Sequence, residues 1–481
     1  MSELLAEIDA VCAAFAKEHQ LPGLAVGIVR DGALAYTMAA GLADIEAARP
    51  VGSETAFRIA SMTKNMTSLA ILALRDQGRL MLDAPLGEYV PQFAAVKPAT
   101  KDSPPVTVRH LMSHVAGFVT DDPWGDRVLG MTPAELDALI AHGALFARPP
   151  GIAFEYSNLG YALLGRVLTN VNGEPYQSFI RRTFLVPLGM TRTTFDAMEA
   201  MRGDFAWGYR LDEGHWSRER IEPDGEVGAM GGIVTTVPDY ARWVAFLLSA
   251  WPPRDDPENG PVRRSTVREL GLWHTMPFLP ETVDGRAGAA SAYGMGLVDS
   301  ADPTHGRRLH HSGGLPGYGS HVSLLPERGW GVFAFANRTY AQMARLTVRL
   351  VDVLHSADPR LPVAVPSSAL KRAVEAVVTA YRLGHIEAAS EVLAVNFLLD
   401  TPARYRNAEL ADLKKRLGEG RLDSIEPTHM LAGRFTLACA QGRLKGSVIL
   451  SPDPEPGIQK LTLSAEAAPL DLPVTRTSVK S

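Results

Sequence analysis

Ser61-Met62-Thr63-Lys64 opens a stretch, from Thr63 to Gly78, in which Met66, Leu69, Ala70, Leu72 and Ala73 recur at helical spacing. The spacing predicts a helix with Ser61 at its N-terminal end and Lys64 one turn further on. Residues three apart share a helix face, so Lys64 Nζ can reach Ser61 Oγ. A serine hydroxyl is a weak nucleophile without a base beside it, and a lysine whose pKa is lowered by desolvation can be that base. The helix N-terminus adds positive potential and N–H groups near a developing oxyanion. Alone the pattern is weak. Ser368-Ala369-Leu370-Lys371 has the same form, and the ordinary alternative is an N-cap serine with an exposed lysine.

Working outward, Leu24–Val29 and Ala33–Tyr36 flank Arg30-Asp31-Gly32, a hairpin signal. Before them, Leu4, Ile8, Val11 and Phe15 mark one face of an N-terminal helix. From about Leu82 to Ala229 the pattern is helices and Pro/Gly-rich loops. Strand character returns at His321–Leu325 and Gly331–Ala336, around Pro326-Glu327-Arg328-Gly329, and a helix follows at about Gln342–His355. Strands at both ends imply one antiparallel sheet built from distant parts of the chain, with a helical second lobe. Residues 357–367, rich in proline, read as a linker. The tail, 368–481, reads as a small α+β domain. Its expected helices are Ser368–Leu383, Ile386–Leu398 and Ala408–Leu417, and its expected strands Gly433–Cys439, Leu444–Leu450 and Ile458–Ser464.

The order of several motifs carries more weight than any one. Ser61 and Lys64 are followed by Tyr156-Ser157-Asn158 and then by His311-Ser312-Gly313-Gly314, which leads into strand. Tyr405-Arg406-Asn407 in the tail has no such sequel. His110-Leu111-Met112-Ser113-His114, Pro150-Gly151, Tyr293-Gly294-Met295-Gly296 and Gly314-Leu315-Pro316-Gly317 add to the set. Over about residues 1–356 the chain resembles the serine β-lactamase-like family, which includes class C β-lactamases, D-alanyl-D-alanine carboxypeptidases, D-aminopeptidases and related esterases. The resemblance implies an α+β, β-lactamase-like fold: an antiparallel sheet flanked by helices, with the helical lobe at about 82–229. It also implies roles. Ser61 is then the acylated nucleophile and Lys64 its base. Tyr156 shares the proton and serves the leaving group and the deacylating water. The N–H groups of Ser61 and Gly314 form the oxyanion hole, Asn158 hydrogen-bonds Lys64 and the substrate, and His311, Ser312 and Gly313 bind substrate. His311 stands where many relatives have lysine. A histidine, mostly neutral near pH 7, is less suited to a substrate carboxylate, which favours esters, amides or D-peptides over β-lactams. A β-lactamase or penicillin-binding carboxypeptidase and a non-catalytic sensor or assembly module remain the alternatives.

Composition excludes other classes. The 481 residues carry 48 basic and 53 acidic side chains with no basic cluster, which disfavours nucleic acid as a partner. No run of about 20 apolar residues suggests a membrane span. The acidic N-terminus lacks the features of a secretory signal, and Cys12 and Cys439 form no metal or redox pattern; the expectation is a cytoplasmic protein. His110 and His114 are spaced like zinc ligands, but the glutamate of His-Glu-x-x-His is missing. No metal and no cofactor is expected. The expected partner is a small ester or peptide substrate, and the tail is a candidate for self-association or for capping the site. Trp207, Tyr209 and Tyr318 are either pocket walls or ordinary packing.

Overall fold

Strands β1 (Gly23–Arg30) and β2 (Ala33–Asp44) turn through Asp31 and Gly32, both at positive φ, 52° and 80°, the backbone a tight hairpin demands. β1 also pairs with β9 (Trp330–Ala336), from the far end of the same unit, from Leu24↔Ala336 to Arg30↔Trp330. The computed structural model describes residues 2–278, 290–302, 304–359 and 365–467. Among these, β3 (Arg49–Pro50), β4 (Thr275–Phe278), β5 (Ala290–Tyr293), β6 (Val298–Asp302), β7 (Gly306–Leu315) and β8 (Tyr318–Leu325) complete a nine-stranded antiparallel sheet. Its order is β3-β2-β1-β9-β8-β7-β6-β5-β4.

Alternation decides what lies on each face. Leu24, Val26 and Ile28 of β1 and Val332, Ala334 and Ala336 of β9 pack with Ile8, Cys12 and Phe15 of α1 (Ser2–Glu18). Met343, Leu346 and Leu350 of the helix Met343–Ala357 complete that layer. The intervening Ala25, Val29, Phe333 and Phe335 join the larger core on the opposite face. That core holds α2 (Lys64–Asp76), α3 (Asn158–Asn172) and α4 (Val237–Leu248). With both faces covered, the central strands are nearly continuous apolar runs.

The chain divides into two compact units, Met1–Leu361 and Pro362–Ser481. The expected linker, 357–367, includes residues 360–364, which lie outside the described residues, as do 468–481 of the tail. The second unit has its own core, built by α5 (Ser368–Leu383) and α6 (Ala403–Leu417) against the sheet β10 (Gly420–His429), β11 (Ala432–Cys439), β12 (Gly442–Leu450) and β13 (Ile458–Ala467).

Several elements differ from expectation. β2 runs to Asp44 rather than ending at Tyr36; its small residues Ala39 and Ala40 carry little strand signal, yet they stay in register with β1. The expected helix Ile386–Leu398 is a 3-10 turn over Ile386–Val392, extended backbone at Leu393, and then a short helix, Phe397–Asp400. Leu393 bridges Ile458 and the Ala394 N–H reaches the Ile458 carbonyl at 3.0 Å, so sheet pairing overrides helical periodicity. α6 begins at Ala403, just after Pro402, rather than at Ala408. β10 was not anticipated; it is an edge strand with two register shifts and charged residues. The region 82–229 holds, besides helices, a small hairpin of Tyr209–Asp212 and His215–Arg218. Among the described residues no helix is long and apolar enough to cross a membrane.

Candidate active site

Ser61 lies in a 3-10 turn, Ala60–Thr63, that runs directly into α2. The turn is entered through Ala60 at φ +51°, a region that a residue with a Cβ adopts only under constraint. Close backbones on both sides impose it. Gly313 of β7 stands so near that a Cβ there would lie 2.3 Å from the Ile59 carbonyl oxygen, and a Cβ on Gly231 would lie 3.4 Å from Ala60. Ser320 Oγ ties the Ile59 carbonyl to β8 at 2.7 Å. Gly313→Ala is therefore expected to cost about 1–3 kcal/mol of stability by overpacking and to displace Ser61. Thermal unfolding and turnover measured together will show both losses.

Lys64 is fully buried. Its Nζ lies 2.9 Å from Ser61 Oγ, 2.8 Å from Asn158 Oδ1 and 3.0 Å from the Met230 carbonyl oxygen. The rings of Tyr156 and Tyr161 stand beside the amine, with centroids 4.9 and 5.3 Å away. Desolvation lowers its pKa to about 8, against the opposing pull of Asp126, Asp122 and Asp121. Tyr156 is partly buried, and the Ser61 side chain acts on its hydroxyl. Burial pushes its phenol well above the usual range, and the neighbouring Ser61 side chain pulls the other way.

Asn158 is held from three sides. It opens α3, capped by Ser157, whose Oγ accepts from the Gly160 N–H at 3.2 Å. Its N–H donates to Asp121 Oδ1 at 2.6 Å and its Nδ2 to Asp122 Oδ1 at 3.2 Å, leaving Oδ1 for Lys64. The Asp121 carboxylate also accepts from Leu159 N–H at 2.7 Å, across the positive end of the helix.

His311 is buried behind the site, its pKa lowered to about 4 by desolvation and by Lys64. Its Nδ1 lies 2.6 Å from the Ser312 carbonyl oxygen, so Nδ1 carries the ring proton; Nε2, 3.1 Å from the Tyr293 hydroxyl, accepts. Both ring nitrogens are thereby engaged. Ser312 is exposed, Gly313 faces the Ser61 turn, and Gly314 lies under the ring of Tyr340. The structure thus gathers Ser61, Lys64 and Asn158 into one hydrogen-bonded group with the Tyr156 ring beside the Lys64 amine, while His311 reaches it through Tyr293 and His114.

His114 packs its ring against Tyr156 and Tyr293, with centroids 4.3 and 4.7 Å away. Its Nδ1 accepts from the Ser157 N–H at 3.1 Å, and His110 Nδ1 accepts from the Thr107 N–H at 3.2 Å. Each of the two histidines uses a ring nitrogen on a backbone N–H, and no metal-binding cluster of side chains is present among the described residues. Tyr209 and Tyr318 are fully buried, and the Tyr318 hydroxyl donates to the Ala206 carbonyl at 2.7 Å. Trp207 carries the Arg218 guanidinium over its ring at 4.1 Å. All three are accounted for by packing. Sequence reading missed Asp121, Asp122, Asp126, Met230 and Tyr340; Met230 contributes only a carbonyl, which no residue type announces.

The family model described as Beta-lactamase matches residues 8–355, more than half of the chain. The chain belongs to the beta-lactamase family. That places it among the serine β-lactamase-like hydrolases, and Ser61, Lys64, Tyr156 and His311 all fall within the matched beta-lactamase region. It is similar to Esterase EstB of Burkholderia gladioli, 28% identical over 387 residues, covering 74% of this chain and 96% of that protein. It is also similar to Protein flp of Staphylococcus aureus, 27% identical over 345 residues, covering 72% of this chain and 65% of the relative. The chain thus spans just under two thirds of the length of the Staphylococcus relatives. Among solved structures it resembles the octameric penicillin-binding protein homologue from Pyrococcus abyssi. The TM-score is 0.63 at 21% identity, with 96% of this chain and 98% of that chain covered. A coverage of 96% extends the likeness in fold beyond the beta-lactamase region into the appended unit.

Proposed function

We propose that this member of the beta-lactamase family is a serine esterase that works through an acyl-enzyme on Ser61. The observation that carries the reading is the set of partners around Lys64 Nζ. A neutral amine has two N–H donors and one lone pair. The Asn158 Oδ1 and Met230 carbonyl oxygens can only accept, so they take the two donors. The lone pair is left for the third neighbour, the Ser61 hydroxyl at 2.9 Å.

The steps balance with these groups alone. Lys64 takes the Ser61 proton as Oγ attacks the ester carbonyl, and the N–H groups of Ser61 and Gly314 hold the oxyanion. The C–O bond to the alcohol breaks, and the departing alkoxide takes the Tyr156 proton. The resulting phenolate, beside the Lys64 ammonium, takes a proton from water, whose oxygen attacks the acyl carbon. Lys64 then returns its proton to Ser61 Oγ as the acid leaves. The high phenol pKa suits Tyr156 to the role of proton donor at neutral pH.

A neutral ester is the favoured substrate class because His311 offers no ring donor to a carboxylate. Esterase EstB, matched over 96% of its own length, points the same way. The test is turnover of a p-nitrophenyl ester series beside D- and L-amino-acid p-nitroanilides and nitrocefin. Turnover of nitrocefin alone would replace the esterase reading with a penicillin-recognising one. Because Lys64 must be neutral to accept a proton, kcat/KM for the ester is expected to rise with pH through about 8 and then level. A rate already flat from pH 6 upward would remove Lys64 as the base.

A companion proposal is self-association through the appended unit. It rests on the octameric state of the Pyrococcus structure and on exposed Val395 and Leu399 in this chain. Light scattering of the full chain and of Leu399→Glu tests it: a monomer in both disposes of the idea.

A further inference from the structure

A carboxylate that the acyl-transfer steps leave unused follows Gly125, which packs on Asn158, the side chain that binds Lys64 Nζ. Asp126 sits in the single turn Gly125–Arg127 and is 2% exposed. Its Oδ2 accepts from the Tyr340 hydroxyl at 2.9 Å, while Oδ1 is buried with no hydrogen-bond partner among the described residues. A buried carboxylate with an orphaned oxygen is costly unless that oxygen carries a proton.

The surroundings of Asp126 join the two halves of the site. Its neighbour Gly125 packs so tightly on Asn158 that a Cβ would lie 2.8 Å from Asn158 Cβ. On the other side the Tyr340 ring lies against Gly314, with Cδ1 2.8 Å from where a Cβ would stand. Tyr340 is fixed at φ +50°, its N–H shared between the carbonyls of Tyr318 at 3.1 Å and Leu315 at 3.4 Å. Among the carboxylates that act on Lys64, Asp126 has the largest effect, ahead of Asp122 and Asp121.

We propose that Asp126, held by Tyr340, is a positioning residue that governs the proton on Lys64. This rests on the acyl-transfer reading of Ser61 and Lys64. An ionised Asp126 stabilises the Lys64 ammonium and keeps the base occupied; a protonated Asp126 releases it, so the two groups titrate as a pair. The other charges that bear on the pair are Asp121 and Asp122 from the same loop, Arg58 from the strand before Ser61, and Arg127, which is paired with Glu219 at 3.1 Å. His114 and His311, which face Lys64, are held neutral by burial. Desolvation and Asp122 push the Asp126 carboxyl above its usual range, and the Tyr340 bond and Lys64 pull it down.

The test uses the full chain and the rate at which a fluorophosphonate labels Ser61 between pH 5 and pH 10, with the label mapped by peptide mass spectrometry. Asp126→Asn keeps an oxygen for Tyr340 and removes the charge. Lys64 then loses its proton more easily, and the acid limb of labelling moves to lower pH by about one pH unit. Labelling at the foot of the limb rises about tenfold relative to the plateau. Tyr340→Phe keeps the ring on Gly314 but removes the donor, so Asp126 holds its proton to higher pH and the limb moves the same way by less. An unmoved limb with a uniformly lower rate, or a limb moved to higher pH, overturns the proposal and leaves Asp126 a structural residue. If Asp126→Asn fails to fold by circular dichroism, the Tyr340→Phe limb decides: no shift overturns it. Absence of label on Ser61 in the wild type is a distinct failure, that of the nucleophile itself.

Discussion

Ser61→Ala is expected to abolish ester turnover, lowering kcat by about 10⁴-fold or more, because no other group can form the acyl-enzyme. The loss is expected without unfolding. Ser61 Oγ is not a helix cap: the turn it lies in has no side-chain cap, and the helix that follows has none either. Its partners, Lys64 and Tyr156, keep their own anchors when Oγ is removed. Lys64 still bonds Asn158 and Met230, and Tyr156 still packs on His114. The Tm of the variant should therefore stay close to that of the wild type while p-nitrophenyl ester turnover and fluorophosphonate labelling both disappear. Equal turnover in the variant and the wild type would transfer the chemistry elsewhere in the molecule.

Lys64→Met carries the second large effect, a fall in kcat of about 10³-fold or more through loss of the general base. Methionine fills most of the lysine volume without a proton acceptor of useful basicity. Lys64→Arg is expected to fail equally. A guanidinium cannot deprotonate in a protein, and its planar fork does not fit between Ser61, Asn158 and Met230, where a single nitrogen now meets all three. The pH profile separates base from spacer. In the wild type the rise in rate is expected to follow deprotonation of Lys64 through about pH 8; any residual rate in Lys64→Met should show no rise there. A residual rate that keeps the limb would assign it to another group.

Much of the fold was legible because it rests on local pattern. The hairpin at Asp31-Gly32, the helix after Ser61 and the strands on either side of Pro326–Gly329 each announce themselves through turn chemistry or period. Where local preference and tertiary pairing disagree, reading failed. Ile386–Leu398 has the apolar spacing of a helix, yet Leu393 and Ala394 are taken by the strand at Ile458. β10 carries so many charged residues that nothing local marks it as a strand, and its partner β11 supplies the reason it is one.

The candidate site divides in the same way. Ser61 and Lys64 meet because they are one turn apart, a distance that the peptide geometry of the chain sets by itself. Tyr156 and Asn158 were identifiable as a spaced motif, and the family resemblance implied that Asn158 bonds Lys64, but not how the two are brought together. Only the tertiary structure brings Asn158 Oδ1 and the Met230 carbonyl, 94 and 166 residues away, onto the lysine amine. It alone buries Lys64 completely, which lowers its pKa, and places Asp121, Asp122 and Asp126 where they oppose that shift. It also turns His311 away from the role of a substrate cation by giving both its nitrogens to Ser312 and Tyr293. Sequence sets which groups can react; desolvation and long-range hydrogen bonds, which exist only once distant segments pack, set their protonation and direction.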